Sequence, residues 1–162
     1  MAHSHRDVIT WKQAGRLFFW RFTENTRDFP GWHFMVDPAA GKSIAALLRS
    51  MAQSTSACSR TVVVSLPTTE VLSVPNNRNS QCVAPERLRI EFAPSGVKSW
   101  AFAEDGAVVH WQLGADGLRA AAEVFANPAK YFDSTIGEET VLWSWGLLPQ
   151  KPPRNSRQRR RD

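Results

Sequence analysis

The chain has 162 residues, of which 43% are apolar, 10% aromatic and 22% charged, enough length and apolar content to bury a core without a metal or disulfide staple. The formal charge of +5 belongs to one end: residues 151–162 hold Lys151, Arg154, Arg157, Arg159, Arg160 and Arg161 against Asp162, and the 150 residues before them balance at 14 basic and 14 acidic. The net charge therefore does not argue for a nucleic-acid-binding fold. The longest apolar run near the N-terminus, Leu17–Trp20, is cut by Arg21; it is too short for a secretory leader or a bilayer span, so a cytoplasmic protein without a membrane partner is expected.

Residues 1–10 are polar without a clear period and read as a loose N-terminus. Residues 16–23 (RLFFWRFT) are aromatic-rich enough for a strand covered on both faces, and Trp32 to Val36 reads as its hairpin partner. Asp37-Pro38 then starts a helix, since the Asp37 carboxylate can accept from the free N–H groups of the first turn and proline sits where its missing N–H costs nothing. Ile44, Leu47, Leu48 and Met51 make one apolar stripe on that helix, which runs to about Gln53. Thr61–Leu66 is β-branched and short, and Glu70 to Val74 is expected to return antiparallel after Pro67.

Residues 75–86 (PNNRNSQCVAPE) are the one long internal loop, of a length that is usually functional or disordered. Leu88, Ile90 and Phe92 alternate with Arg87, Arg89 and Glu91 as in a half-buried strand. Asp105-Gly106 predicts a two-residue hairpin turn in which Trp100 faces Trp111, with Trp100, Phe102, Val109, Trp111 and Leu113 on one face. Asp116 caps a second helix carrying Leu118, Ala121, Ala122 and Phe125, and Asn127-Pro128 stops it. Tyr131 and Phe132 belong to a connecting segment, and Val141 to Leu147 is the last strand, with Val141, Trp143, Trp145 and Leu147 on one face.

The domain thus spans 11–148, and 149–162 reads as a disordered basic Pro/Arg-rich tail, too polar to offset its ordering entropy. The fold class is α+β: a mainly antiparallel curved sheet of about seven or eight strands with two helices packed on one face.

The motifs are sparse. Gly41-Lys42-Ser43 lacks the glycine five residues upstream that a phosphate loop needs, because position 36 is Val. No metal site and no cofactor are expected: Cys58 and Cys82 read as free thiols, and beyond His3 and His5 in the loose end only His33 and His110 remain as nitrogen ligands. Each of those two sits beside a tryptophan in a strand, and they are weak candidates for a catalytic acid or base. No nucleophile elbow accompanies them, so an enzyme is not advertised.

Seven tryptophans are the remaining anomaly. Trp100, Trp111, Trp143 and Trp145 fall on two sheet faces that, if continuous, line either a core or a binding surface, for which Asn77 and Arg78 in the long loop form a rim. The leading reading is a small binding module that uses this aromatic face or pocket for a protein partner or a small-molecule ligand. The first alternative is a nucleic-acid-associated accessory protein whose arm, Arg154, Arg157, Arg159, Arg160 and Arg161, neutralises phosphates without sequence preference. The second is a small enzyme using His33 or His110.

Overall fold

The computed structural model describes residues 2–97, 100–128, 130–135 and 141–147, so the basic tail and its proposed nucleic-acid contacts lie outside the described residues. The chain order is α1 (Ala2–Thr10), β1 (Leu17–Phe22), β2 (Trp32–Val36), α2 (Pro38–Ala52), β3 (Cys58–Ser65), α3 (Thr69–Ser73), β4 (Cys82–Val83), β5 (Arg87–Phe92), β6 (Trp100–Asp105), β7 (Val108–Leu113), α4 (Ala115–Ala126), β8 (Lys130–Thr135) and β9 (Val141–Leu147). The fold is α+β, as expected.

Eight strands follow one path, β6-β7-β5-β3-β1-β2-β9-β8, with the two-residue β4 paired beside β1. Along it antiparallel and parallel neighbours alternate strictly. The pairs β6/β7, β3/β5, β1/β2 and β8/β9 are antiparallel; the joins β5/β7, β1/β3 and β2/β9 are parallel. The sheet is therefore mixed, not mainly antiparallel. A hairpin announces itself through its turn, whereas a parallel join between two hairpins is made by long connections that leave no local mark.

Further elements differ from expectation: the connecting segment around Tyr131 and Phe132 is strand β8, and the long loop contains the short strand β4. Glu70 to Val74 is not a strand: it lies in and just after α3, where the Thr68 hydroxyl accepts from the Val71 amide at 3.2 Å as an N-cap and Val71 is buried. A five-residue segment with three apolar residues does not distinguish the two states. The N-terminal residues form α1, anchored by buried Val8 and by Arg60, which donates to the carbonyl of Ile9. One apolar anchor among polar residues generates no period.

The second hairpin turns one residue later than expected. Asp105 pairs with Val108, and Trp100 faces Leu113, not Trp111. The positive φ of +59° falls on Gly106 and not on Ala107, the pattern of a turn with glycine at its first central position. Because the register moved by two, every residue keeps its expected face.

The sheet curls around α2 and α4. Phe102 of β6 reaches Phe19 of β1 and Trp32 of β2, with ring centroids 5.8 and 6.2 Å apart, and Arg21 donates to Glu104 at 2.8 Å across the same seam. The concave face holds the main core, in which Phe34 of β2 stacks on Phe125 of α4 at 4.3 Å. Gly41 is explained here: a Cβ on it would lie 2.8 Å from the Phe125 carbonyl oxygen, so glycine lets α2 and α4 approach. The convex face is covered over β1, β2 and β9 by α3 and the loop that follows, forming a second, smaller core.

Candidate functional site

The second core is built from alternate residues of β1, β2 and β9. Phe18, Trp20 and Phe22 point to the convex side from β1, His33 and Met35 from β2, and Trp143 and Trp145 from β9, with Val71 of α3 closing over them. His33 is fully buried among rings: Trp20, Trp143 and Trp145 stack on it at 5.7 to 6.0 Å, and Phe22 meets it edge-on at 4.9 Å.

Both of its nitrogens are used. The Trp145 indole N–H donates to Nδ1 at 2.9 Å, and an indole nitrogen has no acceptor role. Nδ1 therefore carries no proton, which leaves Nε2 to donate to the Phe29 carbonyl at 3.2 Å. Burial drives the His33 pKa down to about 4, against the bond to Phe29, which raises it. The imidazole is neutral near pH 7, satisfied and walled off, so it has no route to hand a proton to a substrate.

Above this core lies a cavity of about 330 Å³ between α3 and residues 76–82, with Phe22 and Leu72 as its apolar floor and Asn76, Asn79, Ser80 and Gln81 among its polar walls. Its far wall is tied to the β1–β2 turn. The Asn77 amide donates to the carbonyl of Asn25 at 3.3 Å, the Asn25 amide donates to the Ser80 hydroxyl at 2.7 Å, and Ser80 in turn donates to the Asn77 carbonyl. The Thr23 amide donates to the Gln81 carbonyl at 2.9 Å. Burial pushes the Cys82 thiol, on the cavity wall, above its ordinary value.

The backbone is unusual at this place. Among the described residues, the non-glycine positions with positive φ are Asn25, Asn76, Arg78 and Asn79, at +50° to +56°. Asn76 and Asn79 line the cavity, Arg78 stands between the lining residues Asn77 and Asn79 in sequence, and Asn25 is hydrogen-bonded to Asn77 and Ser80 of the wall. L-residues in that region cost roughly 1–2 kcal/mol each, less for asparagine, and such residues persist where surrounding structure holds them.

The four tryptophans singled out from sequence do not make one row. Trp100 and Trp111 are 6% and 0% exposed in the concave core, edge to face at 4.8 Å, while Trp143 and Trp145 lie on the convex side. The separation follows from pairing: β6 and β7 occupy one arm of the curl, β9 the other, and nothing in either segment alone relates their faces. Asn77 is buried in the wall of the cavity, and Arg78 is exposed and not among its lining residues.

His110 is the other strand histidine, and it also faces the convex side, four strands from His33 along the sheet, or roughly 19 Å at 4.8 Å per strand. The histidines do not share a cleft. His110 Nδ1 lies 2.6 Å from Glu91 Oε1, and Nε2 lies 3.9 Å from Asp105 Oδ2. Glu91 also accepts from Arg89 Nε at 3.1 Å and from Gln112 at 3.4 Å. Burial works to raise the Glu91 pKa, but the bonds from His110 and Gln112 and the charges of His110 and Arg89 outweigh it and hold the carboxyl below its ordinary value.

Sequence reasoning missed this cluster. The alternation of Arg87, Arg89 and Glu91 placed them on the outer face, but no local signal set β7 beside β5. Among the described residues no three His, Cys, Asp or Glu side chains converge to hold a metal, and no helix is long and apolar enough to cross a membrane. No family model matches the chain, and neither a curated protein nor a solved structure matches it.

Proposed function

We propose that the protein is a binding module for a small, uncharged, hydrogen-bonding ligand held between α3 and residues 76–82. The described residues form a small domain with two buried aromatic clusters, and the cavity lies over the second of them. Its walls carry amides and hydroxyls but no carboxylate, guanidinium, ammonium or imidazole. A charged ligand would be desolvated there without a counter-charge, so the chemistry selects a neutral one. Phe22 and Leu72 give it an apolar floor.

The observation that carries the reading is that, of the four left-handed non-glycine residues among those described, Asn76 and Asn79 line the cavity, Arg78 lies between two lining residues in sequence and Asn25 bonds to the wall residues Asn77 and Ser80. Nothing in the concave core depends on them, and backbone strain concentrated at a cavity is a mark of a pre-organised binding site. The tryptophan contribution is then indirect. Trp20 meets Phe22 edge-on at 6.4 Å, so Trp20 reports occupancy without touching the ligand.

The test is an amide NMR titration with a pyranose sugar, a nucleoside and a capped dipeptide amide. Saturable shifts of the Asn76, Asn79 and Gln81 side-chain amides with at least one probe are expected. Their absence with all three overturns the reading.

A further inference from the structure

The wall of the cavity between α3 and residues 76–82 holds two kinds of polar side chain. Asn77 and Ser80 are 5% and 8% exposed, and their groups are spent inside the protein. Asn76, Asn79 and Gln81 line the same cavity, and their side chains meet no hydrogen-bond partner among the described residues. The spent groups lead to one place, the turn between β1 and β2. The Asn77 amide donates to the carbonyls of Glu24 and Asn25, at 3.5 and 3.3 Å. Gln81 is tied to the same turn through its backbone: its carbonyl accepts from the Thr23 amide at 2.9 Å, and its own amide donates to the Glu24 carboxylate at 3.3 Å.

Asn25 closes the circuit. Ser80 gives its one hydroxyl hydrogen to the Asn77 carbonyl, so its oxygen can only accept, and this sets the Asn25 side chain with its NH2 group toward Ser80, at 2.7 Å. The bonds form a ring: Asn77 side chain to Asn25 backbone, Asn25 side chain to Ser80, Ser80 to Asn77 backbone. Beside it Asn76, Arg78 and Asn79 keep φ at +54°, +52° and +56°, a backbone that persists where bonds from elsewhere hold it. Asn25 itself is exposed and not among the lining residues.

We infer that Asn25 is a positioning residue of this site: acting through Ser80 and Asn77, it holds the backbone on which Asn76, Asn79 and Gln81 meet the ligand. The inference rests on the neutral-ligand reading of the cavity and adds a division of labour to it. Asn77 and Ser80 shape the wall, and the three unspent amides bind. A wall fixed before the ligand arrives lowers the ordering entropy lost on binding, so affinity depends on a residue that touches no ligand.

Asn25→Gly tests this, since glycine adopts the left-handed backbone found at Asn25 and only the amide is lost. In the free protein, hydrogen exchange at the Ser80 amide, which donates to the Asn77 carbonyl, is expected to quicken roughly tenfold while the amides of α2 keep their rates. Affinity for whichever of the pyranose, nucleoside and capped dipeptide amide binds the unmodified chain should fall roughly fivefold. Ser80→Ala should lower it too, and the double variant should bind no more weakly than the weaker single one, because both substitutions remove the same contact; independent structural losses would multiply. Asn25→Asp keeps the size but cannot donate, and it carries the same test should glycine loosen the turn. Unchanged affinity or exchange in both Asn25 variants, or multiplied losses in the double variant, overturns the inference and leaves the neutral-ligand reading standing. No binding of any of the three probes to the unmodified chain overturns that reading and this inference with it.

Discussion

His33 and His110 have nearly the same local setting. Each lies in a strand next to a tryptophan that faces the concave core, and each points to the convex side. Yet His33 is fully buried, with both nitrogens bonded to protein groups, whereas His110 is 27% exposed and clasped by a carboxylate. The difference comes from what lies above each strand. Over β2 the chain places Phe22, Phe29, Trp143 and Trp145, under α3 and its following loop; beside His110 on β6 stands only Ala103, itself exposed. A sheet residue's role here is decided by cover supplied from distant segments, not by its own strand.

Truncation should break the symmetry most visibly. His33→Ala leaves a void in a packed aromatic cluster and strands the Trp145 indole N–H without its acceptor, so unfolding free energy should fall by about 4 kcal/mol. His110→Ala removes a partly exposed side chain and should cost about 1 kcal/mol or less. Urea denaturation of the two variants checks the contrast, and equal losses would contradict the division of the convex face into covered and open halves.

Acid titration gives the next largest effect. With His33 at about 4 in the folded chain against 6.5 in the unfolded one, the unfolded state takes up the proton first as pH falls. The stability contributed by neutral His33 is full above pH 6.5 and is lost progressively down to 4, about 3 kcal/mol in all. Glu91 behaves oppositely in placement: its pKa is held below the ordinary 4.5, so its contribution is full above 4.5 and is lost only below. The slope between pH 6.5 and 4.5 therefore belongs to His33, and His33→Phe should flatten it there.

The covered half was the harder one to read from sequence. The strands with strong alternation and the two long helices were legible, because Ile44, Leu47, Leu48 and Met51, or Leu88, Ile90 and Phe92, carry their period locally. The segment 75–86 was legible as a long polar interruption, but not the short strand β4 within it, which depends on pairing with β1. What joins hairpin to hairpin was not: the parallel steps β1/β3, β2/β9 and β5/β7 depend on contacts far apart in sequence. Those steps decide that Trp143 and Trp145 stack on His33 while Trp100 and Trp111 enter the opposite face. They also bring Glu91 to His110. So the strongly periodic elements were visible, but α1, α3 and the neighbours of each strand, and with them the cavity between α3 and residues 76–82, were not.

The rim of the covered half offers a smaller effect of opposite sign. Arg78 holds φ +52° and lies beside the cavity but not in its wall, so Arg78→Gly should raise stability by about 0.5–1 kcal/mol and leave ligand affinity intact. Asn79 does line the cavity, and Asn79→Gly should gain less stability, since asparagine tolerates this region, while weakening the ligand. Thermal melts paired with the NMR titration separate the two. A loss of stability at both positions would show that the left-handed conformations are not strained.

The smallest effect sharpens the comparison at the level of single hydrogen bonds. Double-mutant cycles on His33/Trp145 and on His110/Glu91 measure two contacts of similar length, 2.9 and 2.6 Å, in unlike surroundings. The His110/Glu91 pair is 27% exposed on both sides, so water competes for each partner, and its coupling should be about 0.5–1 kcal/mol and should shrink between 0.05 and 0.5 M salt, roughly from the range where screening is weak to where the Debye length falls below 5 Å. The His33/Trp145 contact joins two neutral groups excluded from water. Its coupling should be at least as large although the bond is longer, and it should not change with salt, because no ionic atmosphere reaches a neutral pair inside a packed aromatic cluster.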